Sequence, residues 1–452
     1  MGITTDLVDN LWALPALPPP PVVERTRQLI LDCLGTVVVG AQTAEGEHIC
    51  RYVRRYGGAG PSGVVLDGIT RDPASAALAN GTSGYSVGLT DTHNLSVTHP
   101  GASVIPAALA VGQAVTVTGA RVLGGIVRGY EAVTRIGTAI SPSHRHRGFH
   151  VTGTVNVFGA AIAAAYVLGL DRAQTIAAVG IAGSQAAGLF EFRVNGAMTM
   201  AFHAGRAAQS GVMAALLAAE GFTGPETILE GNDGFCRAYA DGADLATITR
   251  EIGARYELLE VGLRPYCACR YAHSAIDAVE EIRRELDGLD SAQIESVRIE
   301  THRVAVTQET RPDTLVGARL STAFNVALAI TNGPRLTEVR PPDLKREDVR
   351  RLAALVEITE DPALTALYPR IWASRVHLRL KGGRTMTVRI DVPKGDPENP
   401  LTAAEVEAKF SRLAEERIGR ANSERVVAAV KAVETLPSVE AIMVPLGNPW
   451  TG

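Results

Sequence analysis

The chain carries ten histidines, and seven of them fall between residues 93 and 273: His93, His99, His144, His146, His150, His203 and His273. They stand beside Gly and Pro, in segments that read as loops or helix ends. Imidazole titrates near neutrality, so such a group could supply a general acid and a general base. A loop histidine such as His99, next to Pro100-Gly101, has fewer packing reasons to exist than one on an apolar face. Each alone could equally be a surface or structural residue; as a group they point to a site. Arginine supplies the other half. Arg206, in His203-Ala204-Gly205-Arg206, reads as opening an Ala-rich helix, and Arg264 precedes Pro265-Tyr266-Cys267. A guanidinium fork matches a carboxylate, and helix N-termini favour anions, so the expected ligand is a small carboxylic acid. The competing reading for either arginine is a helix-terminal ion pair.

Other chemistries fit less well. Asp91-x-His93, His144-x-His146 and Cys267-x-Cys269 offer metal-ligating residue types, but none has a standard zinc spacing. Gly58-Ala59-Gly60-Pro61-Ser62-Gly63 matches the dinucleotide fingerprint formally. Its order is wrong: a helical, Arg-rich segment precedes it and the strand-like Val64-Val65-Leu66 follows, whereas the fingerprint needs a strand first and a helix after. It reads as a connecting loop. A phosphate-binding Walker loop does not occur.

The elements that must position these residues are mainly helices. Residues 22–40 carry Val23, Leu29, Ile30 and Leu34 at helical spacing, and 102–118, 122–140, 154–169, 172–188 and 204–220 are rich in Ala, Gly, Val and Leu. Helices apolar most of the way round are buried, and small side chains let their backbones approach closely. Asp171-Arg172-Ala173-Gln174 and Thr402-Ala403-Ala404-Glu405 read as capping boxes. After about residue 285 the pattern changes. Residues 294–304 read as a strand, and Arg375–Leu380, Gly382-Gly383 and Met386–Ile390 read as a β-hairpin. The expected fold is mainly α: a large helical domain over 1–268, a smaller α+β domain over 269–396, and a C-terminal helical return over 397–452.

With 452 residues, 46% hydrophobic and 20% charged, the chain is long enough for two such domains. A net charge of −4 excludes a strongly basic nucleic-acid or anionic-membrane binder as the first reading. Five cysteines, an odd number in a long chain, argue against a disulfide-built fold. The N-terminus lacks a secretory pattern, and the longest apolar run, about Val157 to Leu170, is short of a bilayer span. The expectation is a cytoplasmic protein with no nucleic-acid or membrane partner.

Several segments resemble the MmgE/PrpD family. They are Asp91-Thr92-His93; Thr98-His99-Pro100-Gly101-Ala102-Ser103; Arg147-Gly148-Phe149-His150-Val151-Thr152-Gly153-Thr154; and Ala182 to Gly188. His203-Ala204-Gly205-Arg206, Gly221 to Pro225, Arg264-Pro265-Tyr266, Arg270 to Ala278 and Pro393 to Thr402 follow in order over most of the chain. The resemblance implies a helical domain and an α+β lid domain with the site between them, as a homodimer. It also implies proton chemistry beside a carboxylate of a small carboxylic acid, with no metal or organic cofactor. Thr92, His99, His150, Arg264 and Cys269 fall at the family's site positions. The chain departs from the family where lyase members carry Asp-Phe-Asp-Asp-Thr, here Gly88-Leu89-Thr90-Asp91-Thr92, and where a Lys is common, here Met200.

The expected roles follow. His150 takes the proton beside the carboxylate, His99 returns one, and Cys269 is a candidate second base. Arg264, Arg206, Thr92, Asp91, Tyr266 and His273 bind or orient the substrate. A dehydratase- or decarboxylase-type lyase is the first reading. A two-base epimerase, to which Gly88 and Met200 lend weight, is the second, and a non-catalytic binding protein the third.

Overall fold

The structure, a computed structural model, describes residues 2–306, 312–333, 339–368 and 370–447. It is mainly helical with a small α+β part, and it divides into two compact units. The first comprises Met1–Phe192, Met198–Val261 and Thr402–Gly452; the second comprises Arg193–Ala197 and Gly262–Leu401.

The first unit is a helical bundle. Its long helices are Pro20–Gly40, Pro73–Tyr85, Gly101–Val115, Gly119–Ile140, Val151–Leu168, Arg172–Gly183 and Thr199–Ala219. Their starts follow from local chemistry. Asp72 accepts from the Ser75 N–H with Pro73 in the first turn, Thr118 accepts from Arg121, and Asp171 with Gln174 closes the expected capping box. Val151–Leu168 is long and apolar enough to cross a membrane by composition, but 89% of that window is buried inside the fold. It packs on Gly101–Val115, Gly119–Ile140 and Thr199–Ala219 and forms the centre of the core.

Small residues set how closely the helices meet. A Cβ on Gly81 would stand 2.9 Å from the Gly205 Cα, and one on Gly205 would stand 2.7 Å from the Thr82 nitrogen. Pro73–Tyr85 and Thr199–Ala219 therefore cross backbone to backbone at a glycine pair. The C-terminal return, Ala403–Ile418, opens at the expected Thr402–Glu405 capping box. It is tied in by Lys409, whose ammonium donates to Asp32 at 2.6 Å and to the Leu89 carbonyl at 3.2 Å, all buried.

The second unit holds a four-stranded sheet in the order Val356–Glu360, Ile294–Thr301, Ser374–Leu380, Thr385–Ile390. Ile299 pairs with Val376 in antiparallel register on one side and with Ile358 in parallel register on the other. The expected hairpin is present, with His377 opposite Thr387 and a turn closed by Gly383 at φ +84°. The strand expected over 294–304 ends at Thr301, and Arg303–Ala305 turns into a 3-10 helix. Val356–Glu360 is a strand the alternation analysis did not pick out; only two of its five residues, Val356 and Ile358, are buried. The His273–Glu285 helix packs against the hairpin strands and the Thr322–Asn332 helix.

All five cysteines are free, and Cys269 is the one that is not buried.

Candidate active site

Four elements of the helical unit bring their ends together. Tyr85 is the last residue of Pro73–Tyr85, His99 lies two residues before Gly101–Val115, His150 is the N-cap of Val151–Leu168, and His203 sits in the second turn of Thr199–Ala219. His150 Nε2 meets the Tyr85 hydroxyl at 3.2 Å, and His150 Nδ1 meets His203 Nδ1 at 2.9 Å. The His99 ring centroid is 5.4 Å from that of Tyr85. Glycine makes this approach possible: a Cβ on Gly153 would stand 3.1 Å from the His203 Cβ and 2.7 Å from the Ala187 carbonyl oxygen.

The protonation states are constrained by these contacts. His99 Nδ1 is 2.7 Å from the backbone carbonyl of Asp91, an acceptor only, so Nδ1 carries the proton and the neutral ring has its lone pair on Nε2. The Thr92 hydroxyl lies 3.3 Å from the same nitrogen, and Asn156 donates to the His99 carbonyl at 2.8 Å. His150 is 5% exposed. Burial, with the added repulsion of His203, His99 and Arg145, holds its pKa well below the usual imidazole value, so it is neutral at pH 7. In the His150–His203 contact one nitrogen donates and the other accepts. Phe190 and Phe192 turn their edges to His150 at centroid distances of 5.3 and 5.1 Å, and Arg145 lies 3.5 Å over the Phe190 ring.

The expected residues sort by their contacts. Asp91 accepts the Gly101 N–H on both carboxylate oxygens, at 3.1 and 3.0 Å, and the Tyr130 hydroxyl at 2.7 Å. Its carboxylate caps a helix and its carbonyl orients His99, so it positions the site from beneath. His144 is fully buried: Nδ1 bonds to the Tyr239 carbonyl, Nε2 bonds to Thr154, and its ring stacks on Phe149. His93 is buried against Ser96, and His146 is exposed. Arg206 differs from expectation. The helix begins at Thr199, since nothing in Thr199-Met200-Ala201-Phe202 breaks it, so Arg206 lies in the helix interior. There it lines a cavity to which His99, His150 and His203 do not contribute.

In the α+β unit, Arg264 is buried, and the Tyr266 hydroxyl donates to Asp277 at 2.5 Å. Asp277 also accepts the Lys394 N–H at 2.6 Å, and burial raises both the Tyr266 and the Asp277 pKa. The Cys269 N–H donates to the Arg319 carbonyl at 2.6 Å, and its neighbour Arg270 is engaged by Asp396. His273 is fully buried; its Nε2 bonds to the Ala268 carbonyl at 3.2 Å and braces that loop. Among the described residues no group of three or more His, Cys, Asp and Glu is arranged to hold a metal ion.

The MmgE/PrpD N-terminal domain matches residues 14–248 and the C-terminal domain matches 266–435. The chain belongs to the MmgE/PrpD family. It is 25% identical to a cis-aconitate decarboxylase-like protein of Aspergillus oryzae, over 98% of this chain and 96% of that one. It is 24% identical to cis-aconitate decarboxylase of Aspergillus terreus, over 95% and 94%. It is 26% identical to cis-aconitate decarboxylase of Homo sapiens, over 95% and 91%. Gly88 adopts φ +71°, and Met200 packs on Tyr85, Ala102 and Ala204.

Sequence reasoning did not single out Tyr85, Phe190 or Phe192, and it gave His203 no role. Tyr85 ends a helix of Ala, Gly, Ser and Thr, and aromatic residues are only 5% of the chain. A lone large ring beside such small residues was the available signal.

Proposed function

We propose that this chain is an MmgE/PrpD-type lyase that moves a proton at the carbon beside a carboxylate of a small carboxylic acid, without a metal or organic cofactor. The observation that carries this reading is the Tyr85–His150–His203 chain with His99 beside it: two acid–base imidazoles within ring contact of one tyrosine. The names of the relatives support the lyase class.

The roles follow from the contacts. His150 is held neutral by burial, as a base must be, and its Nε2 faces the Tyr85 hydroxyl. A proton taken at this position passes along the pair, and His203 on the other nitrogen stabilises the charged ring. The carbonyl of Asp91 fixes His99 with Nε2 as its working nitrogen, and His99 returns a proton to the leaving group or to carbon. Arg145, stacked over Phe190, places a positive charge beside these neutral imidazoles, which favours a carboxylate ligand.

The same pair of imidazoles suits a second reading, a two-base epimerase. Product analysis separates the two. Proton NMR of the purified protein with citrate, 2-methylcitrate, cis-aconitate and N-substituted aspartates should show an alkene product or loss of carbon dioxide for a lyase. Inversion with unchanged composition identifies the epimerase. If His150→Gln keeps turnover within a few-fold of the parent, the base assignment is wrong.

A further inference from the structure

The Ala44–Tyr56, Pro73–Tyr85 and Thr199–Ala219 helices of the helical unit line an open cavity of about 500 Å3. That is within the size range of small-molecule sites. Its walls are largely apolar, and three large side chains on them stay open to solvent: Tyr52 at 51%, Met198 at 46% and Phe202 at 39%. Side chains of this kind grouped on one surface mark a binding face more often than chance exposure.

Two donors complete it. Arg206 Nη1 is buried and has no hydrogen-bond partner. Thr82 lines the same cavity, is 3% exposed, and its hydroxyl also has no partner. That hydroxyl lies against Gly205, the residue before Arg206. A buried guanidinium N–H and a buried hydroxyl without acceptors are costly, and an acceptor brought by a ligand removes the cost. The planar fork of arginine favours a carboxylate among such acceptors. Glu45 and His48 also line the cavity, from a different helix; the His48 Nδ1 is engaged by the Ala44 carbonyl. Glu45 would repel a second negative charge.

We propose that this cavity is a second ligand site, separate from the histidine cluster, and that it binds a monocarboxylate with an apolar tail. The carboxylate bonds to Arg206 and Thr82, and the tail lies on Leu78, Tyr52, Met198 and Phe202.

The test is isothermal titration calorimetry of the full chain with octanoate, with octylamine and acetate as charge and tail controls. Octanoate should bind, and both controls should bind at least about tenfold more weakly. Arg206→Met should weaken octanoate binding about tenfold or more, and Thr82→Val several-fold. Arg206→Met breaks no hydrogen bond made by Nη1, so its circular dichroism should match the parent. Phe202→Glu, at an open position, provides an independent block of the site. Octanoate binding that is absent, that octylamine equals, or that survives both Arg206→Met and Phe202→Glu would overturn the proposal. So would a silent titration together with a dimer that Phe202→Glu dissociates, which would assign the face to a second copy of the chain.

Discussion

Stability of the helical unit should depend on pH through His144. Its ring is fully buried, and burial lowers its pKa to about 4 from an ordinary 6.5. As pH falls below 6.5 the unfolded chain takes up the proton first and the folded chain resists it. The contribution is therefore complete above 6.5 and is lost progressively as pH drops toward 4. With those two values, lowering pH from 7.5 to 5.5 removes about 1.4 kcal/mol, and continuing to 4.5 brings the loss to about 2.5 kcal/mol. His144→Gln keeps a donor and an acceptor for the Tyr239 carbonyl and Thr154 but cannot titrate in this range. The variant should be less stable at pH 7.5, because the stack on Phe149 is lost. Urea unfolding followed by circular dichroism at pH 7.5 and 5.5 would give the difference. The parent should lose about 1.4 kcal/mol more than the variant between the two pH values. Equal losses would refute the argument that burial keeps this histidine neutral. His302, in the α+β unit and likewise lowered to about 4 by burial, provides an independent repeat with His302→Gln.

Other perturbations probe packing and the site. Gly205→Ala gains about 1 kcal/mol of helix propensity but forces a Cβ into the backbone of Pro73–Tyr85. Overpacking of about 1–3 kcal/mol should win, lowering the urea midpoint and reducing kcat as Tyr85 and His203 are pushed apart. Unchanged stability would contradict the close crossing. Lys409→Met alone takes the ammonium away from the buried Asp32 carboxylate and should cost about 3–5 kcal/mol, whereas Asp32→Leu with Lys409→Met should recover most of that loss. Denaturation of both variants gives the comparison, and a double variant as unstable as the single one would rule out the ion-pair account. Tyr85→Phe removes the hydroxyl on His150 and should lower kcat about 10–100-fold with the fold intact. Steady-state kinetics beside circular dichroism measures this, and unaltered kcat would remove Tyr85 from the mechanism.

The helical core was legible because its segments are apolar all round, and the capping boxes at Asp171 and Thr402 mark their own helix starts. The hairpin was legible because strict alternation flanks a glycine turn. Val356–Glu360 was not, because a five-residue strand with two buried positions carries too little period to register. The candidate site was half legible. His99 and His150 are marked by residue type and by the Pro and Gly beside them. Tyr85 meets His150 only because glycines let distant helices close to backbone contact, a long-range consequence that local spacing does not encode. Arg206 misled for a related reason: its motif looks like a helix start, but the helix begins a full turn earlier, at Thr199.

The most direct test of the proton-transfer account is proton NMR in heavy water with small carboxylic acids, comparing the parent chain with His99→Gln and His150→Gln. The account predicts solvent deuterium entering the carbon beside a carboxylate with the parent, and exchange falling at least a hundredfold in His150→Gln. Exchange that persists in both variants, or that is absent with every acid while the fold is intact, would contradict it.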